Sequence, residues 1–166
     1  MAGGEARRRR VRAGGRERGA AAVEFALVAP ILLLLVFGII SYGYMLSFRQ
    51  ALSQGAAEGA RAAAVSALPA AADKQQAALD AVNEALDSYG VTCQGTAAGS
   101  SLLKGTTAVG SCSVLTAACA NDGTKECVTA SLDYEYADHP LLPSVPGLGA
   151  VLPDHLRYDA VAQVSG

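Results

Sequence analysis

The sequence predicts a membrane-anchored α+β protein: one long N-terminal transmembrane helix that continues outside the bilayer, a second, amphipathic helix, and a small antiparallel β-sheet of about three or four strands. Three observations carry this. From Ala20 to Phe48 the only ionised side chain is Glu24. Charge is split across that run. Residues 1–19 hold seven Arg against Glu5 and Glu17, whereas from Gln50 onward five Lys or Arg stand against twelve Asp or Glu. Beyond Gly90 the chain breaks into short β-prone stretches separated by Gly, Asn and Pro.

The elements follow in order. Residues 1–19, rich in Arg and Gly and without periodicity, read as a basic cytoplasmic leader. Residues 20–48 read as the transmembrane helix, because roughly 20 apolar residues at about 1.5 Å each cross the hydrocarbon. The Arg-rich flank keeps the N-terminus cytoplasmic and leaves the acidic remainder extracytoplasmic. Pro30 removes one backbone donor and crowds the Ala26 carbonyl, so a local kink is expected. Nothing stops the helix at the membrane surface, and residues 49–68 extend it until Pro69 ends the pattern. On this extension Ala51, Gly55, Gly59 and Ala63 recur every fourth residue, a face of small side chains on which another helix can pack closely.

Residues 73–166 form an extracytoplasmic α+β domain with four cysteines. Its helix, about Asp73 to Ser88, sets Leu79, Val82 and Leu86 on one side and Asp80, Glu84 and Asp87 on the other, and Gly90 caps it. "VTC", "SCSVLTA" and "CVTASLDYEYA" are strand candidates, broken by "GTAAGSS", "KGTTAVG" and "ANDGT". "HPLLPSVPGLG" (139–149) is a loop, and "LRYDAVAQVSG" supplies a last strand. The six tyrosines are read as core residues, mostly on strands.

Composition bounds the rest. Half of the 166 residues are hydrophobic but only 5% are aromatic and none is Trp, so any core is thin. A nucleic-acid binder would carry its positive charge on the folded part, and this chain does the reverse, so no nucleic-acid partner is expected. Cys93, Cys112, Cys119 and Cys127 all lie on the predicted outer side, where an even count suggests two disulfides. Three connectivities are possible. Cys93–Cys112 with Cys119–Cys127 is favoured because each closes a local loop; free thiols and a zinc site are the competing readings, and the spacing matches no zinc ribbon or finger.

No catalytic constellation stands out, so an enzyme is not expected, nor a cofactor or a metal. His139 and His155 lie in Pro-rich surroundings without a partner at ligand spacing. Asp133, Glu135 and Asp138 could be imagined as a cation site, but solvated strand faces look the same. Glu24 is the one costly residue: a carboxylate in hydrocarbon costs about 2–3 kcal/mol, less near the interface where it can snorkel. It either marks the membrane boundary and pairs with Arg16 or Arg18, or it awaits a positive partner elsewhere. Counted from Ala20, it is the fifth residue after Gly19.

The stretch "GAAAVEFALVAPILLLLVFG" (19–38), followed by "AAEGARAA" (56–63), resembles the TadE-like family of minor pseudopilins from tight-adherence pilus systems, and more broadly the N-terminal segment of type IV-like prepilins. The resemblance covers about residues 19–65. It implies that a prepilin peptidase cuts between Gly19 and Ala20, that Glu24, followed by Phe25, takes the assembly role, and that the partners are this peptidase, sister TadE-like pseudopilins, the pilus secretion platform with its ATPase, and membrane lipid. The leading expectation is a structural or assembly component, a minor pilin or pseudopilin, of a tight-adherence (Flp) pilus or secretion system. The alternatives are a single-pass, membrane-anchored extracellular binding protein that is never cut, and a secreted protein with an ordinary signal peptide.

Overall fold

A computed structural model of the chain describes residues 14–66, 70–95, 100–142 and 152–164, with side chains from Gly19 onward. The expected leader falls outside the described residues over 1–13, as do Pro69 and, from residue 143, most of the Pro-rich loop. The order is α1 (Gly14–Val65), α2 (Ala71–Leu86), a short 3₁₀ turn (Asp87–Tyr89), then β1 (Val91–Gln94), β2 (Ser100–Lys104), β3 (Thr107–Cys119), β4 (Asp122–Glu135) and β5 (His155–Gln163). The chain divides into two compact units, Met1–Ile39 and Ile40–Gly166.

In the first unit the described residues are all helical. α1 begins at Gly14, earlier than the apolar run itself, and continues through Pro30. Its large apolar side chains, from Val23 through Ile39, are exposed all round. A helix apolar on every side is built for lipid or for a protein interior. α1 is the one described helix long and apolar enough to cross a membrane.

The second unit holds the core. Here α1 becomes one-sided: Met45, Phe48, Leu52, Ala56, Ala60 and Ala63 are buried. α2 buries Ala78, Leu79, Val82 and Leu86, the stripe its periodicity predicts. It ends where Leu86 passes into the 3₁₀ turn, and Gly90 closes that turn in a left-handed conformation, its N–H donated to the Asp87 carbonyl. Both helices pack against one face of the sheet, where Val91, Leu102, Val109, Val114, Val128, Ala130, Leu132 and Tyr134 point inward.

The sheet has five antiparallel strands in sequence order, more than the three or four expected. The additional strand is β2, "SSLLK", of which Ser100, Ser101 and Lys104 read as loop. It joins β3 through a two-residue turn at Gly105–Thr106, with Lys104 opposite Thr107. Gly105 has φ +64° and Thr106 does not share a positive φ, the pattern of a type II′ hairpin turn that suits twisted strands. β3 begins inside the stretch read as a break because the β2–β3 register shifts: Leu102 pairs with Gly110 but Leu103 with Ala108. The extra residue, Val109, is a bulge that lets both Val109 and Cys112 face inward despite their odd spacing. At the β1 edge, Asn83 of α2 takes the place of a neighbouring strand. Its Oδ1 accepts from the Cys93 N–H at 2.7 Å and its Nδ2 donates to the Cys93 carbonyl at 3.3 Å.

Close approach of α1 and α2 depends on missing side chains. A Cβ at Gly59 would lie 2.7 Å from Val82 Cγ2 and 3.2 Å from the Ala78 carbonyl oxygen; one at Gly55 would lie 3.4 Å from Ala85 Cβ. Gly59→Val is therefore expected to destabilise the folded unit by about 2–3 kcal/mol through overpacking. Gly43→Ala, with nothing within 4 Å of the new methyl, should instead add up to about 1 kcal/mol of helix stability. Thermal unfolding of the detergent-solubilised protein, followed by circular dichroism, checks both signs.

Candidate functional site

Two groups of residues singled out by sequence lie in different units. In the first unit, Gly19, Ala20, Glu24 and Phe25 are all exposed on α1. Ala20 and Glu24 are four residues apart, hence stacked on one helix face. Around and beyond Glu24 the helix presents apolar side chains, among them Val23, Leu27 and Val28. Among the described side chains, no ion pair reaches Glu24; Arg16 and Arg18, the partners considered from sequence, have side chains outside the described set. Gly19 has nothing within 4 Å of where a Cβ would stand.

In the second unit, the small-residue face is turned into the fold. Ala51 and Ala63 are buried, and Gly55 and Gly59 meet α2 and the β4 residues Leu132 and Ala130. The helix that this face admits is thus the chain's own α2. The cysteines form two disulfides, Cys93–Cys112 and Cys119–Cys127. The first is buried and ties β1 to β3, two strands separated in the sheet by β2. The second clamps the tip of the β3–β4 hairpin, beside the turn at Ala120–Asn121.

Asp133 joins two residues of the neighbouring strand, a role that was not anticipated. It stands on the face of β4 away from the helices, opposite Arg157 of β5 and Ser111 of β3. Arg157 Nε donates to Asp133 Oδ2 at 3.0 Å, Arg157 adds a second contact through a terminal nitrogen, and His155 Nδ1 lies 2.9 Å from Asp133 Oδ1. Partial burial opposes the Asp133 charge, but these bonds outweigh it and hold the carboxyl below its ordinary value of 3.8. Both carboxylate oxygens are therefore engaged by side chains, which argues against the cation site imagined with Glu135 and Asp138. Among the described residues no group of three or more His, Cys, Asp or Glu is arranged to hold a metal. The shallow depression beside Asp133, about 270 Å³, is lined by Ser111, Ser113, Ser131, Arg157 and Asp159. The signal for this cluster was the alternation of β4 and β5, but only their register brings Asp133 and Arg157 together.

Comparison with known proteins finds a likeness in the N-terminal part. Residues 19–61 match the family model described as TadE-like protein, the stretch that carries Gly19, Glu24 and the Gly55–Gly59 face. A TadE-like segment points to a component related to the Tad pilus. No curated protein and no solved structure matches the chain.

Because the folded state lowers the Asp133 pKa, its ion-pair contribution to stability is present above 3.8 and is lost as the pH falls through the lower folded-state value. Asp133→Asn is expected to lower the thermal midpoint at neutral pH by a few degrees. The gap between variant and wild type should close as the pH is taken well below 3.8, as measured by midpoints across a pH series.

Proposed function

We propose that this chain is a structural, non-catalytic component, a minor pilin or pseudopilin, of a tight-adherence (Flp, type IV-like) pilus or secretion system. The observation that carries the proposal is the match of residues 19–61 to the TadE-like model, with Glu24 five residues past Gly19 in an otherwise apolar helix. The Arg-rich leader stays on the cytoplasmic side and the disulfide-bearing unit lies outside, where oxidising conditions let Cys93–Cys112 and Cys119–Cys127 persist.

On this reading a prepilin peptidase hydrolyses the Gly19–Ala20 amide. Water adds across the bond, the leader leaves with a carboxylate on Gly19, and Ala20 gains an α-amine. That amine, with an ordinary pKa of about 8, is largely protonated at neutral pH. A sister subunit displaced by about one helical turn sets its amine against the Glu24 carboxylate, which removes the cost of a lone charge in hydrocarbon and fixes the register between subunits. Gly19 suits the cut because it is a weak helix former, lowering by about 1 kcal/mol the cost of unwinding the bond for the peptidase. Its open surroundings mean that a bulky replacement is tolerated by the fold.

Gly19→Leu is accordingly expected to accumulate full-length precursor in cells that process the wild type, with normal membrane insertion. Intact mass of the envelope form should correspond to a chain starting at Ala20 for the wild type and to one that keeps the leader for the variant. A wild-type mass that keeps the leader would instead favour an uncut, membrane-anchored binding protein.

Glu24→Ala should insert and be cut as efficiently as wild type, yet reduce surface assembly about tenfold or more, the loss expected when a charge pair in low dielectric is broken. Quantifying sheared surface fibres against total envelope protein tests this, and undiminished piliation refutes the pairing role of Glu24.

A further inference from the structure

The tyrosines of this protein are not scattered through its core as their sequence positions suggest. Of nine aromatic residues in the chain, Phe25 and Phe37 lie in the apolar run; the other seven are Phe48 and all six tyrosines. In the second unit these seven gather around the first turns of its α1 segment. Tyr44 meets Tyr89 edge-on at 5.6 Å, Phe48 meets Tyr89 at 4.9 Å and Tyr134 at 4.8 Å, and Tyr134 lies 6.2 Å from Tyr136. Tyr158 joins through Arg49, whose Nε donates to its hydroxyl at 2.8 Å. The other end of the same unit, where α1 meets α2, is built from Ala, Gly, Val and Leu.

The group is graded from inside to outside. Tyr134 and Tyr136 are buried; burial pushes the Tyr134 hydroxyl up to about 12, and it donates to the His139 carbonyl at 2.8 Å. Tyr89 and Tyr158 are half-buried; the Tyr89 ring lies in the cluster, Tyr158 packs against the core, and their hydroxyls are tied to Ser47 and Arg49. Tyr42 and Tyr44 are 49% and 37% exposed, beside exposed Ile40 and Leu46. Among the described residues, the other exposed large apolar side chains of this unit are Val65, Leu115 and Val161.

Chain connectivity says what covers this rim. Residues 20–39, just before it, form a run of about 30 Å at 1.5 Å per residue, the thickness of a bilayer's hydrocarbon. The surface where that run leaves the lipid therefore falls at Ile40–Leu46. Tyrosine, with an apolar ring and a polar tip, is the residue type that settles at head-group level. We propose that the tyrosine rim is a lipid-docking surface: Tyr42, Tyr44 and the adjoining edge of Tyr89 rest in the head-group layer of a phospholipid bilayer and set the depth at which the folded unit sits. The bilayer surface thus crosses α1 before Met45 and Phe48, which are buried in protein, and not after residue 48. The inference rests on the membrane-anchoring of α1 and is independent of any pilus role.

The absence of Trp makes tyrosine emission directly usable. The full chain is reconstituted at low density into phosphatidylcholine vesicles carrying a nitroxide either near the head group or near the acyl terminus, and insertion is verified by flotation. The shallow label is expected to quench tyrosine fluorescence at least about twofold more than the deep one. A Tyr42→Phe/Tyr44→Phe variant, which keeps both rings and leaves the fold intact, should lose about half or more of that lipid-dependent quenching. Raising the salt concentration should change neither result, because the contact is not ionic. Protein that floats with the vesicles but is quenched by neither label, or equally by both, overturns the docking surface while leaving the anchor standing. Protein that does not float overturns the anchor, and the docking surface with it. Quenching abolished by salt also overturns it, because charge and not the tyrosine rim would then hold the unit down.

Discussion

A single helix here carries two different surfaces. From Ala20 to Ile39, apart from Glu24, α1 is apolar on every side and exposes large branched and aromatic residues all round, a surface suited to acyl chains. From Met45 onward the same helix is one-sided and buries a seam. Along that seam Met45, Phe48 and Leu52 give way to Gly55, Ala56, Gly59, Ala60 and Ala63, following what lies opposite. Where the aromatic residues of the sheet end come in, α1 carries large side chains. Where α2 presses against it, backbone-to-backbone approach leaves no room even for a methyl at Gly59. Helix position, sheet packing and the shallow core all follow from that gradation.

A core in which Ala is the commonest buried residue removes little apolar surface per residue from water, so other constraints have to contribute. The two disulfides do so at complementary places. Cys93–Cys112 ties strands that are not adjacent in the sheet, holding β1 and the short β2 in place, while Cys119–Cys127 closes the hairpin where β3 and β4 extend furthest. Asn83 does for the β1 edge what another strand would do, satisfying both polar groups of Cys93. On the outer face, Asp133 links β4 to β5 through Arg157 and His155, which gives that edge strand a charged character unsuited to indiscriminate strand addition.

The residues proposed for processing and assembly divide along the same line. Gly19, Ala20 and Glu24 lie in the apolar first unit, where each is exposed and a Cβ at Gly19 would meet nothing within 4 Å. Such residues are free to be specified by processing and subunit contact. The Gly55–Gly59 face belongs to the folded part and is consumed by α2. It lies inside the span that matches the TadE-like model, so the small residues of that span carry the packing of this domain as well as any family character.

Local patterns determined a good deal. The apolar run, the α2 stripe of Leu79, Val82 and Leu86, and the alternation of Leu132 and Tyr134 were legible because each encodes a period and a preference for one solvent within a few residues. The Gly19–Glu24 spacing was legible for the same reason: it lies within little more than one turn of helix. Only the tertiary structure decided the rest. β2 is too short and too rich in Ser to show a period, and the Val109 bulge breaks the alternation of β3 where that strand begins. Asp133 finds Arg157 through strand register, and tyrosines from α1, the 3₁₀ turn, β4 and β5 converge because α1 crosses the sheet at that end. Register and convergence depend on how distant surfaces interlock, and no stretch of sequence short enough to show a period carries that information.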